Sequence, residues 1–351
     1  MIKDKSIFIK NIYYMLSYAF QNLNQGEYKE IAKESFDNIC DLFAAILEKG
    51  IGKQLKQGLY REYINKTEDI ATLRGKINFP ESIKNRISRK QMLTCEYDEL
   101  SENNTFNQIL KTVMILLLGE KRVSSKRKAN LKKIILFFSD IDTLEPNHIN
   151  WNAIHFQKSN YSYRMLISIC RLLIEGMLMT TEKGEHKLAD FVDDQHMERL
   201  YEKFILEYYR KEHPELKANA SQISWALDSG EDTMLPTMQS DITLTRGEKT
   251  LIIDAKYYTH VTQEQYGTHT YHSNNMYQIF TYVKNREAGF KNKAHKPVSG
   301  MLLYAKTDEG IQPDNSYEMS GNIISIKTLD LNRDFKDISV QLDSIATSFC
   351  G

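Results

Sequence analysis

Asp241, Asp254 and Lys256, followed by Gln278 and Tyr282, are the residues whose types and spacing could do chemistry. Residues 250–258 form a short apolar run bounded by the charged turn 246–249, the pattern of a buried β-strand. Side chains on a strand alternate faces, so Asp254 and Lys256 emerge on one side while Ala255 points away. Asp241 opens the preceding strand-like run, 241–245, and a hairpin of the two runs would set Asp241 beside Asp254. Two carboxylates suit a hard cation such as Mg2+, which prefers oxygen ligands and keeps positions open for water and phosphate. Lys256 would stabilise negative charge on a phosphorus, hold the attacking water or, with a shifted pKa, take a proton. Together these are the needs of phosphodiester hydrolysis. An Asp-x-Lys tripeptide by itself is equally met by a surface hairpin with an ordinary ion pair.

The elements that must position these groups add context. Gln278 and Tyr282, four apart, share a face of a helix through 275–282. Upstream, residues 197–207 read as an amphipathic helix with apolar positions 197, 200, 201, 204 and 205, carrying Glu202 and Glu207. Glu202 is the expected third acid of the site; Glu207, five residues on, falls on another face. The order is acidic helix, strand with Asp, strand with Asp-x-Lys, helix with Gln-x-x-x-Tyr. It resembles the PD-(D/E)XK nuclease superfamily, especially its RecB-like branch.

The segments 235–242, 253–258, 272–278 and the opening 10–19 are similar, in order and spacing, to the McrC family, the nuclease subunit of the McrBC modified-cytosine restriction system. The likeness runs from near residue 9 into the final strands. It implies a mixed-sheet α/β nuclease core preceded by a mixed α+β N-terminal domain that docks on a hexameric GTP-hydrolysing AAA+ partner, McrB. It also implies cleavage of DNA containing modified cytosine, with Asp241, Asp254 and Glu202 at the metal and Gln278 and Tyr282 lining the cleft. Gln239 stands where an acidic residue is common, and Ser240 replaces the proline of the superfamily's name. Arg74, Lys76 and the basic loop 84–90 resemble positions of the partner-facing half. Arg74 is then either an arginine finger toward the partner's nucleotide or a structural arginine pairing with Glu62 or Asp98.

At 351 residues the chain exceeds the ~150 residues of one typical domain, and the polar stretch 157–160 marks the expected boundary, giving 1–158 and 159–351. Expected elements in the first half are helices at 11–23, 35–47 and 105–118, and strand-like runs at 60–64 and 73–80. Gly75 would mark a bulge or close approach, and Pro80 the strand's end. Strands at 299–304 and 322–326 and helices at 164–178 and 340–349 are expected in the second half. Scattered Cys40, Cys95, Cys170 and Cys350 form no CxxC pair and suit reduced thiols. No apolar run approaches the ~20 residues of a membrane span, and no signal-like segment follows Met1, so the expected location is cytoplasmic.

Lys+Arg and Asp+Glu both number 46, whereas autonomous DNA binders display a basic field, so a partner is expected to deliver the DNA. A basic cluster at 121–133 reads as the solvated face of a helix whose apolar side is Leu131, Ile134, Ile135 and Phe138. There is no GxxxxGK[ST] phosphate loop, which leaves GTP to the partner. His260, His269 and His272 lack the companions of a zinc site. Two other readings stay open: a regulatory protein with a degenerate nuclease domain, and a free-standing RecB-like exonuclease.

Overall fold

The computed structural model describes residues 5–20, 23, 26–180, 186–189, 192–258, 262–265, 268–290, 297–306 and 312–351. Two compact units emerge: a middle unit, residues 43–188, and a terminal unit built from residues 1–42 together with 189–351. By compactness the chain parts near residues 42 and 188. The reason lies in α1 (Lys5–Ala19), which buries Ile9, Ile12, Met15 and Leu16 and packs on the later helix α7 (Asp194–Glu212). Buried Asn11 also donates to the carbonyls of Leu331 and Arg333, at 2.7 and 2.8 Å.

In the middle unit, α2 (Ile39–Gln57) enters from the preceding residues and buries Phe43, Ile46, Leu47 and Ile51. Strand β1 (Glu62–Ile70) pairs antiparallel with the central β3 (Leu93–Ser101), whose other edge takes β2 (Lys76–Ile77). The strand expected over 73–80 is thus two residues long. Asn78 caps a helix instead, α3 (Phe79–Ile87), with Pro80 in its first turn, where a missing N–H costs nothing. That helix and its C-terminal turn replace the expected basic loop 84–90. Gly75 has φ +67°, and a Cβ there would collide with the Glu96 carbonyl and Tyr97 Cβ: a close approach, not a bulge. Helix α4 (Thr105–Gly119) packs against α5 (Ser125–Ile135) and α6 (Arg164–Met177), and the short pair β4 (Leu178–Thr180) and β5 (His186–Leu188) ends the unit. On α5, Leu131 is buried as expected, while Arg127 of the basic cluster is buried too, 3.2 Å from Glu48.

The terminal unit resumes with α7, whose N-cap Asp193 accepts from the His196 amide. A small pair, β6 (Gln222–Ile223) and β7 (Met238–Gln239), precedes the hairpin β8 (Ile242–Arg246) and β9 (Lys249–Lys256). A second hairpin, β10 (Thr262–Gln265) and β11 (Thr268–Tyr271), leads into α8 (Ser273–Ala288). Then follow β12 (Val298–Ala305), β13 (Asn315–Met319), β14 (Asn322–Leu329) and α9 (Phe335–Cys350). The main sheet has the order β13-β14-β12-β9-β8, with the inner three strands parallel and both edges antiparallel, the mixed sheet expected. Helices α7 and α8 both pack on β9, so the strand reads as a continuous apolar run because it is covered on both faces. No described helix is long and apolar enough to cross a membrane.

Gly300 is what lets α8 settle on the sheet. A Cβ there would stand 2.8 Å from Ile279, 2.9 Å from Val283 and 2.9 Å from Ile324. Gly300→Val is expected to lower unfolding stability by about 2–3 kcal/mol through overpacking, read from the urea midpoint at unchanged m-value. An unchanged midpoint would contradict this packing.

Candidate active site

The β8–β9 register pairs Ile242 with Ile253, which sets Asp241, one residue before β8, opposite Asp254. Asp254 and Lys256 share the strand face of Ile252, which packs with Ile279, Tyr282 and Val283 of α8. Their neighbours across the sheet are Leu302 and Tyr304 of β12. The hairpin does what its alternation and short turn implied.

The electrostatics are dominated by burial. Asp254 is 1% exposed, and neither of its carboxylate oxygens makes a hydrogen bond of good geometry. Lys256 Nζ stands 3.0 Å from Asp254 Oδ2 as an ion pair. Asp241 is held differently, its Oδ2 accepting the Ala255 amide at 2.9 Å. Burial raises the pKa of both carboxyls; the Lys256 charge pulls both back, while Asp241 pushes Asp254 further up. Burial would strip the Lys256 proton, but Asp254 and Asp241 outweigh it and keep the ammonium charged well above neutral pH.

Helix α7 brings two acids into this field. Glu202, the expected third acid, is pushed up to about 8 by burial, then by the charges of Asp241 and Glu198. Glu198 is also raised, by burial first and then by Asp241 and Asp194, with Lys256 opposing. Sequence reasoning passed over Glu198, although its spacing of four from Glu202 puts both on one helical face. Glu207 is elsewhere, paired with Arg210 at 2.7 Å. Among the described residues, no three His, Cys, Asp or Glu side chains converge closely enough to enclose a metal ion. The fit to a hard cation is therefore open-sided: two adjacent carboxylates, and acids on α7 within electrostatic range.

Helix α8 meets the site differently from expectation. Gln278 Nε2 donates to Tyr282 Oη at 2.9 Å, and Tyr282, 8% exposed, sits in the core cluster with Ile252 and Leu302. Asn275 of α8 bridges Tyr258, just after β9, and Tyr304 of β12. It donates to Tyr304 Oη at 3.0 Å and accepts from Tyr258 Oη at 3.4 Å. His272, at the N-cap of α8, lies edge-on to Tyr258 with ring centres 5.3 Å apart. His260 and the His269 side chain lie outside the described residues.

In the middle unit, Arg74 lies 4.0 Å over the Tyr97 ring and 3.6 Å from Glu99, so its carboxylate neighbour is Glu99 rather than Glu62 or Asp98. Its side chain remains 53% exposed, and Lys76 is exposed opposite Glu96.

Residues 4–305 match the family described as McrBC 5-methylcytosine restriction system component. A protein of Escherichia coli (strain K12), the type IV methyl-directed restriction enzyme EcoKMcrBC, is 27% identical over 338 residues, covering 95% of each chain. Among solved structures, the chain resembles one from a refined half-complex of a tetradecameric assembly, Thermococcus gammatolerans McrB AAA+ hexamers with bound McrC. The TM-score is 0.52 at 19% identity, covering 96% of this chain and 76% of that one, a likeness of fold.

The raised Glu202 pKa has a consequence for stability. Its folded form keeps a proton that the unfolded chain releases in the ordinary carboxylate range, so its contribution is present at low pH and lost as pH rises through about 8. With metal chelated, the wild type should lose more Tm between about pH 5.5 and 8.5 than Glu202→Gln, which has no proton to release there. Equal losses would show that Glu202 is not held in this buried acidic field.

Proposed function

The chain belongs to the McrBC 5-methylcytosine restriction system component family, and from that premise we propose that it is the DNA-cleaving subunit of a GTP-dependent, modification-dependent restriction endonuclease. The observation that carries this reading is the Asp241–Asp254 pair beside Lys256, with the Asp254 carboxylate buried near the end of β9 and its Oδ2 ion-paired to Lys256 at 3.0 Å. A buried carboxylate in that state costs stability, and such cost is commonly retained where a site needs it. The five-stranded mixed sheet with α7 and α8 on β9 is compatible with a PD-(D/E)XK core.

Asp241 and Asp254 would hold Mg2+, which when bound supplies charge neutralisation and an acidified water for attack on phosphorus. Asp241 is oriented by the Ala255 amide, which fixes the direction of its carboxyl group. Lys256, kept protonated by the two carboxylates, stabilises charge developing on the phosphoryl oxygens. Glu198 and Glu202 extend the negative field from α7, and Glu202 would act on the metal through water. The hydroxyl network of Tyr258, Asn275 and Tyr304 steadies the strand ends around Lys256. Gln278 and Tyr282 support the α8 side of the cleft.

An AAA+ GTPase partner accords with the relative whose structure contains McrB hexamers with bound McrC. The middle unit offers a surface for one. Helix α3 is inverted relative to an ordinary amphipathic helix: Ser82 and Asn85 are buried through bonds with Thr94, while Phe79, Ile83 and Ile87 are 68%, 56% and 77% exposed. Tyr63 and Leu73 of the same unit are exposed as well, and the Arg74 side chain is half exposed. The partner would bind GTP and read the modified cytosine, and this chain would cut.

In a complex reconstituted with an AAA+ GTPase partner, Asp254→Asn and Lys256→Ala should each reduce cleavage of methylated DNA at least about a thousandfold, on the order of 4 kcal/mol in the barrier. GTP turnover and assembly should survive. Wild-type cleavage by either variant would sink the assignment. Arg74→Ala should lower the chain's stimulation of GTP hydrolysis without affecting its fold, because the side chain is half exposed. Phosphate release unchanged by Arg74→Ala would reduce Arg74 to the structural partner of Tyr97 and Glu99.

A further inference from the structure

We propose that Lys256 is the resident counter-ion of the metal-free site, which a divalent cation must displace from Asp254 in order to bind. The inference rests on the reading that Asp241 and Asp254 hold a metal, and adds what sets the affinity. Asp254 is all but sealed from solvent, so its charge needs an opposite charge in contact with it. That charge is Lys256 Nζ at 3.0 Å, on a side chain only 10% exposed. One Asp241 oxygen is already committed to the Ala255 amide, which leaves the Asp254 oxygens as the less committed donors of the pair. The groups in electrostatic contact with this ammonium include Asp254, Asp241 and Tyr258, with Glu198 and Glu202 on α7. It therefore has acidic neighbours to move toward when a cation takes its place.

The geometry makes this exchange feasible. The Lys256 backbone is fixed in β9, paired through Tyr304 of β12, but the ammonium ends a flexible four-carbon stem. A swing away from Asp254 releases its Oδ2 while Asp241 and the α7 acids remain within electrostatic range of the ammonium. The ammonium and the metal thus use one carboxylate in turn. The free site is neutralised without metal, and its affinity for divalent cations is held down by a competitor built into the chain. A lysine devoted solely to the reacting phosphate would have no such effect on metal binding.

The test is Mn2+ binding to the full chain, stripped with chelator and titrated at about pH 8, where competition from carboxyl protonation is reduced. Free Mn2+ is followed by electron paramagnetic resonance and the metal-induced rise in Tm is measured alongside. Asp254→Asn is the control for the site, and circular dichroism verifies that each variant folds. Lys256→Met and Lys256→Gln should bind Mn2+ at least about tenfold more tightly than wild type, since a unit charge at contact distance is removed. Lys256→Arg, which keeps the charge, should stay near wild type. Wild-type or weaker binding in both neutral variants, with binding lost in Asp254→Asn, would overturn the displacement while leaving the metal site standing. Mn2+ binding that is absent in wild type, or indifferent to Asp254→Asn, would overturn the metal reading and this inference with it.

Discussion

Burying the Asp254 carboxylate beside a second carboxyl group, Asp241, is the constraint around which the terminal unit is arranged. A carboxylate so placed costs several kcal/mol unless charge or protonation compensates it. Here the compensation is shared between the Lys256 ammonium and a raised pKa, while the adjacent Asp241 makes the cost greater. Tight packing around β9 preserves the arrangement. Helices α7 and α8 both pack on β9 and parallel β12 pairs alongside it.

Each surrounding element has a part in that enclosure. The β8–β9 turn sets the register that makes Asp241 face Asp254, and the Ala255 amide fixes one Asp241 oxygen. Gly300 lets α8 approach closely enough for Ile279 and Val283 to seal the Ile252 face. Helix α1, from the start of the chain, packs on α7 and is pinned by Asn11 to the segment before α9. The acids Glu198 and Glu202 thus stand on a helix supported from both ends of the sequence.

Much of the hairpin was legible because its information is local. Strand alternation fixes which side chains share a face, and a short charged turn leaves little freedom in register. The type of α8, β12, β14 and α9 was legible for the same reason. Long-range packing was not: nothing near Asn11 announces that its amide seeks the Leu331 carbonyl, so α1 read as the start of an N-terminal domain. Helix α3 defeated periodicity because its polar face is the buried one, satisfied by Thr94, which lies on another strand. Glu198 showed the right spacing from Glu202, yet paired acids on a helix face are common, and only the docking of α7 beside the hairpin separates this pair from others. Asn275, not Gln278, reaches Tyr258 and Tyr304, one turn nearer the helix N-terminus than the Gln-x-x-x-Tyr pattern suggested.

The claim that Asp241 and Asp254 form a metal-dependent phosphodiester site is tested most directly by anomalous diffraction from crystals of the chain soaked in Mn2+. The expected result is a peak at inner-sphere distance, about 2.0–2.3 Å, from carboxylate oxygens of both residues, with Lys256 Nζ withdrawn from Asp254 Oδ2. A peak only at other residues, with the Lys256–Asp254 pair intact, would contradict it.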